Sequence, residues 1–261
     1  MLLAIAFGVA IGLAVGALGG GGSVLAVPAL VYVLGEDLPD ATTAGLAVVG
    51  AGALAGAARH ALAGRVCWRH AVSFTIAAVP GLALGTLAGD AVAEQVLLIA
   101  FALVMLVAAR SIWQRAEREE PDPGRDFDAC PPLRLPRDAL AGVAVGFVTG
   151  FLGVGGGFLI VPTLAVGLAF TMRTAVGTSL AIITATSALS LAVHLGAGRA
   201  VEDPGAVAAM ALACMAGAVA GAATAERMPQ RALGRAFAAL VVSVAGYLLV
   251  SAIVLGGPGG G

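Results

Sequence analysis

Eight long apolar stretches follow one another along this chain, and they restrict its fold more than any other feature. Most of them approach the roughly 20 residues with which a helix crosses the roughly 30 Å hydrocarbon layer of a bilayer. A water-soluble fold of 261 residues could not hide a chain that is 60% apolar and 11% charged, because much of any small protein's surface stays exposed. The sequence therefore predicts an all-α polytopic membrane protein. The eight stretches are residues 2–34, 42–62, 71–89, 92–112, 139–170, 175–197, 205–225 and 233–256.

Two of these stretches, 2–34 and 139–170, are too long for one crossing, since each would measure about 50 Å as a straight helix. Each contains a glycine run near its middle, GALGGGGS at 16–23 and GFLGVGGG at 150–157. Glycine is unfavourable inside a helix. We therefore expect each stretch to form two half-helices separated by a glycine break.

The chain consists of two copies of one sequence pattern. The segment GALGGGGSVLAVPAL at 16–30 aligns with GFLGVGGGFLIVPTL at 150–164 at an offset of 134 residues. The same offset pairs His60 with His194, and an insertion of two residues changes it to 136 further along. An ungapped register of about 50 residues is unlike chance matching of alanine and glycine. We therefore expect two structural repeats.

The only long polar stretch, residues 114–137, contains five prolines and charges of both signs. Such a composition favours an extramembrane linker. The predicted organisation is a first membrane repeat at 1–113, a cytoplasmic linker at 114–137 and a second membrane repeat at 138–261.

The arginines, which are all 14 of the basic residues, decide how the repeats are oriented. If every apolar stretch crosses once, the repeats are parallel and 10 of 14 arginines lie on the linker side. If each glycine-broken stretch re-enters or crosses twice, the repeats are inverted and 13 of 14 lie there, leaving out Arg199. Because cytoplasmic loops carry the excess of arginine, we predict inverted repeats, a cytoplasmic linker and both termini outside. Whether the broken stretches re-enter or cross twice stays open.

Both glycine segments are followed by a helix that begins ATTAGLA in the first copy and AVGTSLA in the second. This duplicated pattern resembles the TauE/SafE sulfite exporter family over nearly the whole chain. The resemblance implies a carrier in the cell inner membrane that exports sulfite, sulfoacetate or related small anions. We expect no cofactor. A homodimer is left open.

The glycine runs are the first candidate site. At a helix break, unpaired backbone N–H groups carry partial positive charge, and glycine lets an anion approach them closely. Hydroxyls near the start of the following helices could donate further hydrogen bonds, although such residues also cap helices. Close helix packing is the alternative role of glycine in membranes, and we prefer it for the scattered Gly12, Gly52 and Gly146. The predicted substrate-binding residues are Gly19, Gly20, Gly21, Gly22, Ser23, Gly153, Gly155, Gly156, Gly157, Thr42, Thr43, Thr178 and Ser179.

The repeat-equivalent His60 and His194 lie toward helix ends. Histidine changes its charge near neutral pH, so both are candidates for proton coupling. An interfacial position without such a role is the alternative.

Several functions are disfavoured. A net charge of −1 gives no basic field for nucleic acid, and the three separated cysteines predict neither a disulfide framework nor a metal site. The spans offer no candidate buried carboxylate, nucleotide-binding loop or catalytic set. We therefore expect a secondary carrier for a small anion rather than an enzyme. The alternative is a duplicated membrane scaffold without transport activity.

Overall fold

Every regular element in the part of the chain that the computed structural model describes is helical, as predicted. The described residues are 2–20, 38–89, 94–118, 130–152, 157–196 and 204–254. In chain order the helices are α1 (Leu2–Leu18), α2 (Leu38–Leu62), α3 (Trp68–Gly89), α4 (Glu94–Arg118), α5 (Leu135–Leu152), α6 (Gly157–Pro162) with a π-helical turn at Thr163–Gly167, α7 (Met172–Gly196), α8 (Pro204–Arg227) and α9 (Gln230–Val254).

Five segments of these helices are long and apolar enough to cross a membrane. They are Thr43–Leu62, Trp68–Ala88, Ile99–Glu117, Met172–Gly196 and Pro204–Arg227. Two shorter apolar helices, Leu3–Leu18 and Gly157–Gly167, accompany them. The chain is therefore a polytopic helical membrane protein.

The helix bounds repeat along the chain as the sequence does. Adding 134 to the bounds of α2 gives those of α7, and adding 136 to the bounds of α4 gives those of α9. In the same way α1 corresponds to α5, and α3 corresponds to α8. The duplicated sequence has folded into duplicated helices.

The first helix of each repeat packs against the other repeat, α1 against α8 and α5 against α3. A Cβ atom on Gly12 of α1 would overlap the carbonyl oxygen of Cys214 on α8. At the equivalent place, a Cβ on Gly146 of α5 would overlap the carbonyl oxygen of Ala78 on α3. Small residues let membrane helices approach this closely. The packing role predicted for Gly12 and Gly146 is confirmed, and the repeats are interlocked rather than side by side.

The equivalent helices α2 and α7 pack against each other in opposite directions. Thr43 near the start of α2 contacts His194 near the end of α7. At the other end, a Cβ on Gly177 near the start of α7 would lie 3.0 Å from Cβ of His60 near the end of α2. Contacts that are exchanged in this way define a pseudo-two-fold axis. Because the two equivalent spanning helices are antiparallel, the repeats are inverted.

The broken helix of the second repeat returns to the side from which it starts. Arg137 at the start of α5 donates a hydrogen bond to the carbonyl of Gly167, where the π-helical turn ends. Three residues later, Phe170 packs its ring against His70 at the start of α3. The segment Gly157–Gly167, which we call the return arm, therefore leads back, and this stretch is re-entrant. The corresponding part of the first repeat lies outside the described residues.

The return arm is enclosed by protein. The side chains of Phe158, Val161 and Leu164 are at most 1% exposed, and the ring of Phe158 contacts that of Phe101 on α4 edge to face. Interrupted backbone is tolerated at membrane depth where protein surrounds it. The return arm thus lies in the core.

Candidate functional site

The two glycine runs meet inside the molecule. Helix α1 ends at Leu18, and Gly19 follows with φ +73°, a left-handed conformation that terminates helices and suits glycine. Next to it, Gly20 packs so closely on Gly157 that a Cβ at position 20 would overlap the Gly157 carbonyl. The described residues of the two runs are therefore in direct contact. The other candidates in the runs lie outside the described residues, namely Gly21, Gly22, Ser23, Gly153, Gly155 and Gly156.

Ser179 borders this meeting point. A Cβ on Gly19 would lie 2.6 Å from Oγ of Ser179, so only glycine leaves room for the hydroxyl. Ser179 is fully buried and donates its own hydrogen bond to the carbonyl of Val176 at 2.8 Å. The oxygen of Ser179 faces the end of α1, while its hydroxyl proton is engaged in the hydrogen bond to Val176 within α7.

Thr178 and Thr43 make contacts between the repeats. The backbone N–H of Cys67, just before α3, donates to Oγ1 of Thr178 at 3.1 Å. Thr178 thus accepts a hydrogen bond from the chain that leads into a helix of the other repeat, rather than capping its own helix. Oγ1 of Thr43 lies 3.0 Å from Nδ1 of His194. Thr42 lies in α2, and its side chain is outside the described residues.

The two repeat-equivalent histidines lie at opposite ends of the antiparallel pair α2 and α7. Nε2 of His60 lies 3.3 Å from the carbonyl oxygen of Gly16 in the last turn of α1, and His60 is 1% exposed. His194 contacts Thr43. Each histidine therefore connects its helix to another element, and the proton-coupling role stays a prediction.

A cavity of about 100 Å³ opens beside Gly157. Its walls come from α2, α3, α5, the return arm and α7, and they are mainly apolar. Four hydroxyl groups on α5 and α7 line it: Thr149, Thr186, Ser187 and Ser190. The cavity reaches one glycine run and has no charged side chain among its lining residues.

Arginines gather at one end of the molecule, which we call the arginine end. Arg59 lies 2.7 Å and Arg65 lies 3.6 Å from the carboxylate of Glu226. At the same end Arg173 donates to the carbonyl of Met228 at 2.9 Å, between α8 and α9. Helices α2, α4 and α8 end here, and α3, α5, α7 and α9 begin here. This grouping matches the inverted arrangement that the arginine pattern predicted.

Two sequence-based expectations are wrong. Cys67 and Cys130 form a disulfide bond across 63 residues, because the chain before α5 passes the loop between α2 and α3. A buried carboxylate is also present, since Asp138 is 1% exposed and faces His70. Asp138 stands at the edge of an apolar stretch, so hydropathy gave no sign that neighbouring helices would cover it.

Two inverted repeats with interrupted helices that meet in the core are the architecture of secondary transporters, whose sites lie where the repeats join. The fold and this meeting point thus define a membrane transporter. The family model described as "Sulfite exporter TauE/SafE" matches residues 4–248, and the chain belongs to that family.

Curated relatives agree with this assignment. A "Probable membrane transporter protein" of Xylella fastidiosa (strain 9a5c) is 36% identical over 183 residues, which cover 69% of this chain and 68% of the relative. A protein of the same description from Xylella fastidiosa (strain Temecula1 / ATCC 700964) is 35% identical over 188 residues, again 69% and 68% of the two chains. No solved structure matches the chain significantly.

Proposed function

We propose that the protein is a secondary carrier of the cell inner membrane that exports a small anion such as sulfite, a sulfonate or sulfoacetate. The substrate class and the direction rest on the description of its family. The observation that carries the site is the contact of Gly20 with Gly157 in the protein core, beside a buried serine.

The anion binds where the two glycine runs converge. An anion in a low-dielectric interior costs several kcal/mol or more unless donors surround it. Backbone N–H groups of Gly19–Gly22 and Gly153–Gly157 are the main donors, and each hydrogen bond to a charged group contributes about 1.5–3 kcal/mol. The hydroxyls of Thr42, Thr43, Thr178 and Ser179 are the further candidate donors, and Ser179 joins them only by releasing its hydrogen bond to the carbonyl of Val176.

The cavity beside Gly157 indicates which kind of anion the site would prefer. Its walls combine apolar side chains with the hydroxyls of Thr149, Thr186 and Ser190. Apolar walls favour a ligand that brings an apolar group, because contact with them removes that group from water. The cavity therefore favours an organic sulfonate over sulfite, with the charged group toward Gly157.

The arginine end faces the cytoplasm in this proposal, following the positive-inside rule. The linker is then cytoplasmic and both termini lie outside. Disulfides are rare in the cytosol because its thiols are kept reduced. Cys67 and Cys130 should therefore be thiols in intact cells and form their bond after purification in air. Rapid acid quenching of intact cells traps the thiol state before purification. If the bond between Cys67 and Cys130 is already complete in such cells, the arginine end lies outside the cytoplasm.

Flux of radiolabelled sulfite, methanesulfonate and sulfoacetate into proteoliposomes tests the function, with and without a pH gradient. Saturable flux of at least one of them supports the carrier. If folded protein shows no saturable flux of any of the three anions, a membrane scaffold without transport activity is favoured instead. Ser190→Leu, which fills the cavity, should abolish flux, whereas Ser243→Leu on an exposed face of α9 should preserve it. Equal flux in both variants would place the site elsewhere.

A further inference from the structure

A buried histidine–carboxylate pair joins the two repeats near the arginine end. His70 lies in the first turn of α3 and Asp138 in the first turn of α5, with 3.6 Å between Nε2 and Oδ1. The two side chains are 4% and 2% exposed. Oδ2 of Asp138 accepts the backbone N–H of Arg134 at 3.1 Å, but Oδ1 has no hydrogen bond among the described residues. This pair lies outside the glycine site.

The pseudo-two-fold symmetry shows that packing does not require this pair. At the repeat offsets of 136 and 134, His70 corresponds to Ala206 and Asp138 corresponds to Ala4. Both alanines are buried, at 6% and 1% exposure, between α8 and α1. The interface between α1 and α8 therefore contains small apolar residues at the two positions where the equivalent interface between α5 and α3 contains titratable residues.

The pair is connected to the outer end of the return arm. The ring of Phe170 stands edge-on against His70, with 4.9 Å between the ring centroids. The carbonyl of Phe170 accepts a hydrogen bond from Arg115 at 2.9 Å, and Arg137 holds the carbonyl of Gly167. The inner end of the same arm borders the cavity and the glycine runs. A change at His70 can thus act on the site through one continuous segment.

We propose that His70 and Asp138 form a proton-binding site whose occupancy couples proton movement to the return arm, and thereby to anion transport. The inference rests on the proposed carrier function. With the proton bound, imidazolium and carboxylate neutralise each other. When the proton leaves for water at the arginine end, a buried carboxylate remains facing a neutral imidazole. An unbalanced buried charge is costly, so this state favours separation of the arm from α3 and entry of water.

The imidazole is the group that exchanges the proton in this proposal, because histidine changes its charge near neutral pH. The charged groups around the pair are Arg69 beside His70, Arg134 just before α5, Arg137 in the first turn of α5, and Arg115 of α4, which bonds the carbonyl of Phe170.

The matched variant is the double substitution His70→Ala with Asp138→Ala, which copies the residues of the other interface. Asp138→Asn is the second variant, because it keeps the shape and removes the charge. In proteoliposomes with the membrane potential held at zero, a pH gradient of one unit should drive about tenfold accumulation of the transported anion in the unsubstituted protein. Both variants should equilibrate the anion without accumulation.

Hydrogen exchange of residues 163–171 in detergent tests the site without transport. After correction for intrinsic exchange, protection should differ between about pH 5.5 and about pH 8 in the unsubstituted protein and be equal in both variants. Retained accumulation, or a retained pH difference in exchange, would overturn the proposal. A protein without anion flux that still shows the histidine-dependent exchange difference would refute the carrier function and leave the proton site standing.

Discussion

Replacing Gly12 or Gly146 by alanine should force apart the helices that interlock the two repeats. At Gly12 the new Cβ would overlap the carbonyl oxygen of Cys214 and lie 2.9 Å from the backbone nitrogen of Ala218. At Gly146 it would overlap the carbonyl oxygen of Ala78 and lie 2.9 Å from that carbonyl's carbon. These obstacles are backbone atoms, so no side chain can rotate away and the helices themselves must move.

The expected loss follows from two opposing effects. Overpacking a close interface costs about 1–3 kcal/mol, and backbone obstacles place these sites in the upper part of that range. Alanine recovers up to about 1 kcal/mol of helix propensity relative to glycine. The net change is a loss of about 1–2 kcal/mol per site. For a chain of this size it lowers the unfolding temperature by about 2–8 °C.

Thermal unfolding in detergent, followed by calorimetry, measures the effect. Gly246→Ala is the matched control, because a Cβ there has no atom within 4 Å, and its unfolding temperature should stay level or rise. Since Gly12 and Gly146 are repeat equivalents, their losses should agree within about 1 kcal/mol. If Gly12→Ala or Gly146→Ala is as stable as Gly246→Ala, the interlocked packing is wrong.

Three further changes test other contacts. Glu226→Gln removes the carboxylate bound by Arg59 at 2.7 Å and should cost about 1 kcal/mol, since that arginine is partly exposed; an unchanged unfolding temperature would contradict it. Alkylation of the air-oxidised, denatured protein should add one label, at Cys214, and three labels after reduction. The control Cys130→Ser should take two labels in both cases. Three labels on the unsubstituted protein before reduction would rule out the disulfide bond. Gly19→Ala should cost about 1–3 kcal/mol through its positive φ, and unaltered unfolding would show that α1 ends differently.

The contact between the two glycine runs was predictable because glycine acts locally, whereas the binding roles of the candidate residues stay predictions. The run at Gly19 ends α1 whatever surrounds it, and the matching run interrupts the second repeat in the same way. The duplication then implied that the two breaks would meet, and Gly20 does contact Gly157. The hydroxyls were harder to assign, because Thr178 donates or accepts according to partners that come from the other repeat.

The sequence by itself determined the fold class, the helices and the inversion of the repeats. In a bilayer every backbone polar group must be satisfied within its own segment, so apolar length and glycine position decide where helices begin and end. The arginines carry the orientation because they are distributed unevenly between the loops of the two sides.

Only the tertiary structure decided which helices are partners. Apolar helix faces rich in alanine and glycine can pack in many combinations, so the sequence did not reveal that α1 pairs with α8 and α3 with α5. That pairing buries Asp138 against His70 and turns the return arm back onto them. These contacts join residues far apart in the chain, and their energies depend on the burial that the assembled helices create.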